Sequence, residues 1–182
     1  GFCLVGSEMC IRDSSGGRQM NCHFGTRLLN ENGDWKTQTD MMNSVSDISC
    51  VSGQMPRIVG LAYASKLYRN NKILSDMENF SINGNEVVFG TIGDASTSEG
   101  HFWEAINACG VLQVPLIMSI WDDGYGISVP SEYHTTRNDL SKALSGFQRS
   151  SKKENGYEIF TVHAWDYINL LKTYQKAEKL AR

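Results

Sequence analysis

The sequence lacks the features that mark a membrane protein, a nucleic-acid-binding protein or a disulfide-stabilised protein. Its longest apolar runs, such as residues 114–121, have the length of a strand and are far short of the roughly 20 residues that span a bilayer. The 17 basic and 20 acidic residues are interspersed, so no basic run can follow a nucleic-acid backbone. The five cysteines form no C-x-x-C pair and no zinc-ligand spacing with histidine. We therefore expect free thiols in the cytoplasm, and neither a membrane nor a nucleic acid as partner.

The opening segment, residues 1–14, lacks both an amphipathic period and the basic-then-apolar order of a signal peptide. Residues 3–14 resemble a translated sequencing-adapter contaminant. We predict an artefact or a disordered arm here, with a native N-terminal arm as the alternative. Residues 15–182 are then one α/β domain, incomplete at both ends.

Apolar strand-length segments alternate with amphipathic segments along the rest of the chain. A polar, Gly- and Asn-rich stretch, residues 15–43, comes first and is predicted to be a long loop. Strands are predicted at residues 86–92, 115–120 and 157–163. Helices are predicted at residues 56–69, 138–148 and 166–182, and a further helix is predicted to begin after an N-cap at Ser98. This order predicts a parallel sheet flanked by helices on both faces.

Acidic side chains follow the first two predicted strands. Asp94 and Asp123 can converge, because the carboxyl ends of neighbouring parallel strands meet at one edge of a sheet. Two adjacent carboxylates repel each other, and Mg²⁺ removes that cost and prefers hard oxygen ligands. The small residues Gly93, Ala95 and Ser96 let a diphosphate approach the backbone and a helix N-terminus. A magnesium–diphosphate site answers all of these features.

Simpler interpretations stay open at this point. Asp94 taken alone is typical of a turn or a helix cap, and residues 122–124 are typical of a solvated turn. A nucleotide site is disfavoured, because the first loop has neither a G-x-G-x-x-G nor a G-x-x-x-x-G-K-[ST] pattern.

The two loops and their spacing resemble the thiamine-diphosphate motif. The matching segments are 93–96, 98–100, 104–107 and 122–128, with further agreement at 17–20, 23–25, 47–49 and 53–56. Together they resemble the α portion of the decarboxylating component of 2-oxo acid dehydrogenases, of the branched-chain type. The resemblance covers nearly all of residues 16–182.

The resemblance implies specific roles for residues of this chain. Asp94 and Asp123 would bind Mg²⁺ through their side chains, and Tyr125 would bind it through its backbone carbonyl. Three small residues of the first loop would contact the diphosphate: Gly93, Ala95 and Ser96. Ser49 and Val51 would lie near the aminopyrimidine end of the cofactor.

Histidines and the potassium loop are less sharply assigned. His23 lies in a family-like segment and is the candidate catalytic residue, with a surface or structural role as the alternative. His101 is open in the same way, and His134 and His163 are expected to be structural. The branched-chain enzymes bind K⁺ on the loop that Gly53 belongs to here, and the missing hydroxyl weakens the case for K⁺.

This sequence departs from the family pattern near the diphosphate. Ala95 replaces a usual glycine, which is tolerable at negative φ, and Asp122–Asp123 replaces Asn–Asn and adds negative charge. Trp121 stands where the branched-chain enzymes place an arginine, so one phosphate contact is expected to be missing.

The function implied by the resemblance is decarboxylation of a 2-oxo acid with thiamine diphosphate and transfer of the acyl group to lipoamide on an acyltransferase. The glutamate that activates the cofactor belongs to a β portion, separate or fused, in a dimer or α2β2 assembly. This chain alone is therefore expected to be inactive. A transketolase-like enzyme and a non-catalytic binding module are the alternatives.

Overall fold

The computed structural model describes residues 25–45, 50–74, 77–151 and 153–182. Its α-helices are α1 (Gln54–Asn70), α2 (Gly100–Leu112), α3 (Leu140–Ala143) and α4 (Tyr167–Ala181). Its strands are β1 (Val88–Gly93), β2 (Leu116–Trp121), β3 (Tyr125–Gly126) and β4 (Val129–Pro130). Within these described ranges, every helix is too short or too polar to cross a bilayer.

Strands β1 and β2 form a parallel pair, and α2 makes the crossover between them. Their register runs from Val88 opposite Leu116 to Gly93 opposite Trp121. The predicted α/β organisation and parallel pairing are therefore confirmed, within two residues at each end of the two strands. The parallel sheet of the described residues is two strands wide.

Helices α1 and α2 cover one face of this sheet and form the core with it. A side chain on Gly90 would meet Ile58 of α1 at 2.6 Å, so the glycine permits the close approach of helix and strand. The buried core residues are Met55, Ile58, Ile92, Phe102, Ala105, Ile106 and Leu144. Each large side chain buried here stabilises the fold by about 1.5–3 kcal/mol, which holds the carboxyl ends of both strands in place.

Helix α4 lies on the opposite face of the sheet. The Tyr174 hydroxyl shares a 2.6 Å hydrogen bond with Ser119 Oγ, and its ring meets Phe89 edge-on at 5.5 Å. The helical spacing of Tyr167, Leu171 and Tyr174 in the sequence predicts that all three face inward. For Tyr167 and Leu171 this is wrong, since they are 67% and 43% exposed. A sheet two strands wide offers this helix too little surface to bury both residues.

The predicted third strand at residues 157–163 is wrong in the described structure. The Tyr157 N–H donates to the Phe147 carbonyl at 3.2 Å, and the Arg149 N–H donates to the Tyr157 carbonyl at 3.2 Å. The start of the segment is therefore bonded to residues 147–149, and not to the free edge of β2.

Two other local predictions also need correction. Ser98 is not the N-cap of α2; it ends a 3-10 helix (Ala95–Ser98), and Glu99 occupies the cap position. The predicted helix 138–148 divides into α3, capped by the side chain of Asp139, and a 3-10 helix (Leu144–Phe147). The predicted long loop is confirmed over residues 25–43, where the regular structure is a bridge between Leu29 and Trp35 and a 3-10 turn.

Candidate functional site

The two acidic loops leave the sheet side by side. Gly93 and Trp121 are in register at the ends of β1 and β2, and the Asp94 N–H donates to the Trp121 carbonyl at 3.1 Å. Asp122 and Asp123 come directly after Trp121, close enough that their charges raise the pKa of Asp94. The structure therefore brings the predicted carboxylates together, because the parallel register aligns the two strand ends.

Asp94 is the buried member of the group, at 3% exposure. Burial raises the pKa of its carboxyl group, and a hydrogen bond from the Ala95 N–H partly opposes that shift. Its Oδ2 atom is buried without a hydrogen-bond partner among the residues that the structure describes. An unsatisfied buried oxygen lowers the stability of the fold by about 1–3 kcal/mol, and by more when it is charged. A cation bound at this atom would remove that cost.

The donor set of this site suits a metal that takes few ligands from protein. In the described ranges, no group of three or more His, Cys, Asp or Glu side chains is arranged to hold a metal ion by itself. Mg²⁺ is usually held by one or two carboxylates, with substrate phosphate and water completing its shell. Asp94 and Asp123 therefore fit Mg²⁺ better than a metal such as zinc, which takes three or four ligands from His, Cys, Asp or Glu side chains.

The second loop is built from two overlapping turns. Asp122 accepts a hydrogen bond from the Gly124 N–H, and Asp123 accepts one from the Tyr125 N–H, both at 3.0 Å. All three of Asp122, Asp123 and Tyr125 are exposed. The solvated-turn interpretation thus describes the local geometry, and the turn also brings the Asp123 carboxylate within electrostatic range of the buried Asp94.

Ala95 and Gly126 pack together where the two loops meet. A side chain built on Gly126 would place its Cβ 2.6 Å from the Ala95 methyl group. Ala95 has a negative φ, so its departure from the usual glycine introduces no left-handed backbone. The methyl group of Ala95 occupies space that Gly126 leaves open, which explains how the substitution is accommodated.

A third segment, the turn before α1, is tied to the first loop. Ser52 is buried, has a φ of +59°, and donates a 2.5 Å hydrogen bond from Oγ to the Ser96 carbonyl. Ser52 is not predictable from the sequence, since a serine in a polar turn carries no signal of a contact 44 residues away. Val51 precedes Ser52 in the chain and is 54% exposed.

Trp121 is the last residue of β2. The indole N–H of Trp121 donates to Ser119 Oγ at 2.9 Å, so this donor is engaged with its own strand. Gly93 ends β1 and Ser96 lies in the 3-10 helix that follows. His23 and Ser49 lie outside the described residues, and their roles stay predictions.

Comparison with known proteins assigns the chain to a family. The model of the dehydrogenase E1 component matches residues 6–165. The chain belongs to this family. The resemblance noted from the sequence motifs is therefore confirmed. The E1 match includes residues 6–14. That residues 1–14 are an artefact or a disordered arm stays a prediction, which the deletion described in the Discussion tests.

Curated E1 relatives are α subunits of 2-oxoisovalerate dehydrogenases. The Bacillus subtilis subunit is 28% identical over 160 residues, which are 88% of this chain and 40% of that protein. The mitochondrial subunit of Caenorhabditis elegans is 31% identical over 151 residues, 83% of this chain and 29% of that protein. The human mitochondrial subunit is 26% identical over 153 residues, which are 84% of this chain and 28% of that protein. This E1 chain thus spans less than half the length of these relatives.

Proposed function

We propose that this E1 chain is the thiamine-diphosphate- and Mg²⁺-binding part of a 2-oxo acid dehydrogenase. The complete assembly would decarboxylate a branched-chain or pyruvate-like 2-oxo acid and pass the acyl group to lipoamide on an acyltransferase. The observation that carries the proposal is the buried, unsatisfied Oδ2 of Asp94 among the described residues, at the meeting point of the two motif loops. Family membership and the names of the relatives support the class of substrate.

Each part of the site has a distinct task in this proposal. Asp94 and Asp123 hold the cation, with the Tyr125 carbonyl as a third ligand. The cation neutralises the charge that raises the pKa of Asp94 and attracts the diphosphate. The residues that let the diphosphate approach the backbone are small: Gly93, Ala95 and Ser96. Thiamine diphosphate, when bound, supplies the electron sink for decarboxylation.

The rest of the machinery comes from other parts of the protein in this proposal. A β portion, fused or separate, would supply the activating glutamate and complete a dimer or an α2β2 assembly. Val51 and, outside the described ranges, Ser49 would border the aminopyrimidine, and His23 would face the substrate. Cys50 and Cys109 are free in the described part of the chain, and this leads us to propose a cytoplasmic location.

Calorimetry on the complete assembly tests the cofactor assignment. Thiamine diphosphate should bind with Mg²⁺ and fail to bind after chelation, because the cation links the carboxylates to the diphosphate. Asp122→Asn is the matched control: it keeps the turn acceptor for Gly124 and should keep cofactor binding. Tight binding in metal-free buffer would show that Asp94 and Asp123 are not metal ligands.

A reconstitution assay tests the division of labour. Residues 1–182 alone should show no decarboxylation with an artificial electron acceptor, and a cognate β portion should restore it. Robust turnover by this chain alone contradicts the proposal. Cofactor binding without turnover in the reconstituted assembly favours the non-catalytic module.

A further inference from the structure

His134, for which the sequence predicts a structural role, is held against the first motif loop, residues 93–98. The Ser98 hydroxyl donates to the His134 carbonyl at 3.1 Å, and the His134 N–H donates to the Ser131 carbonyl at 3.1 Å. The first of these bonds joins residues 36 positions apart. The backbone of His134 is therefore positioned relative to the loop that begins at Asp94.

The imidazole of His134 borders the contact between the two loops. Its Cδ2 and Nε2 atoms lie 3.7 and 3.8 Å from the position that a Cβ on Gly126 would take, where the Ala95 methyl group also lies. The electrostatic interaction with His134 is the smallest of the effects on the pKa of Asp94 and lowers it, so the ring lies within interaction range of this carboxyl group. Nδ1 and the Thr135 hydroxyl share a 2.9 Å hydrogen bond.

Nε2 of His134 is buried and has no partner among the described residues, like Oδ2 of Asp94. In an acidic neighbourhood such as this one, an Nε2–H interacts more favourably with the carboxylates than a bare Nε2 lone pair does. We therefore assign the Thr135 hydroxyl as donor to Nδ1, which leaves the proton on Nε2. The result is a fixed N–H donor that lacks an acceptor in the described part of the chain.

The two motif loops beside this donor are acidic and lack basic side chains. The two loops, residues 93–98 and 121–128, carry the carboxylates of Asp94, Asp122 and Asp123 and contain no Lys, Arg or His. The Trp121 N–H is already engaged with Ser119. Backbone N–H groups and serine hydroxyls of these loops can contact a diphosphate bound through Mg²⁺, and His134, whose ring borders Gly126, can add an imidazole N–H to them.

We propose that His134 is a diphosphate-binding residue of this site and donates its Nε2–H to a phosphate oxygen. The inference rests on the proposed function, since it takes the diphosphate to lie between the two loops. His134 orients the phosphate and has no part in the bond-breaking step.

Two variants separate binding from structure. His134→Gln keeps an N–H donor near the position of Nε2, whereas His134→Asn keeps a polar atom only near Nδ1. We would titrate the complete assembly, in the presence of Mg²⁺, with thiamine diphosphate and with inorganic diphosphate. His134→Asn should weaken both by about tenfold or more, the loss expected for a hydrogen bond to a charged group. His134→Gln should recover most of this loss, and both variants should unfold at the wild-type temperature without ligand.

A measurement on the wild-type assembly covers the case in which His134→Asn does not fold. The ¹⁵N resonance of His134 Nε2 should shift when Mg²⁺ and inorganic diphosphate are added. An unmoved resonance, or wild-type affinity in both variants, overturns the role of His134. A wild-type assembly that binds inorganic diphosphate but not thiamine diphosphate refutes the proposed function and leaves the His134 contact standing. Binding of neither probe refutes both.

Discussion

Asp94→Asn should stabilise the metal-free protein and abolish its response to cofactor. Burial and the charges of Asp122 and Asp123 raise the pKa of Asp94, so folding favours the protonated form of this carboxyl group. Stability is therefore lost as the pH rises from the unfolded value of about 3.9 through the raised folded value. Above the folded pKa the whole cost is present, and the neutral amide of asparagine removes its electrostatic part.

The expected size of the effect follows from the burial of Asp94. A buried unsatisfied polar group costs about 1–3 kcal/mol, and the amide keeps part of this cost, so we expect a gain of about 1 kcal/mol. For a domain of this size, that gain corresponds to a rise of roughly 2–4 °C in the melting temperature. Cofactor at 100 times its Kd would stabilise the wild type by about 2.7 kcal/mol and leave Asp94→Asn unchanged. The order of the two melting temperatures should therefore reverse when cofactor and Mg²⁺ are added.

The assay is calorimetric unfolding of the complete assembly, once in chelator and once in excess Mg²⁺ and thiamine diphosphate. Asp122→Asn is the control, because Asp122 is exposed and asparagine keeps its turn hydrogen bond; its change should stay within about 0.5 kcal/mol. The advantage of Asp94→Asn in chelator should disappear below about pH 4, where both states hold the proton. A variant that melts lower than the wild type in chelator at neutral pH would refute the reasoning, since Asp94 would then have a stabilising partner.

Three further predictions test the packing, the thiols and the opening segment. Gly126→Ala should destabilise the protein by about 1–3 kcal/mol, because the new Cβ meets the Ala95 methyl group at 2.6 Å. Ala95→Gly in the same chain should restore most of the lost stability. Additive losses of stability in the double variant would contradict this contact. Burial raises the pKa of Cys109 to about 11, so little of its thiol is ionised at pH 8. Iodoacetamide at this pH should therefore modify Cys109 far more slowly than the exposed Cys50, as measured by peptide mapping. Equal rates of modification would contradict the burial of Cys109. Deletion of residues 1–14 should change the unfolding free energy by no more than about 0.5 kcal/mol, and a drop of about 2 kcal/mol would show that the segment belongs to the fold.

Local pattern was sufficient to predict α1, β1, β2 and α4 to within two residues at each boundary. These elements carry either a continuous apolar run or a helical apolar period, and such signals depend on neighbouring residues only. The convergence of Asp94 and Asp123 followed as well, because parallel strands on either side of one crossover helix end at the same edge. The sequence by itself therefore determined the α/β order of the chain and the location of the candidate site.

Tertiary structure decided what depends on distant partners. Ser52 reaches Ser96 through a left-handed backbone position, and His134 comes to border Gly126 through contacts across the chain, and neither has a local signature. The segment 157–163 has a strand-like sequence, yet the backbone of Tyr157 bonds to residues 147–149 in the described structure. The apolar pattern of a segment predicts that its side chains are buried, but it does not predict which element they pack against. That partner depends on which surfaces the rest of the fold leaves free.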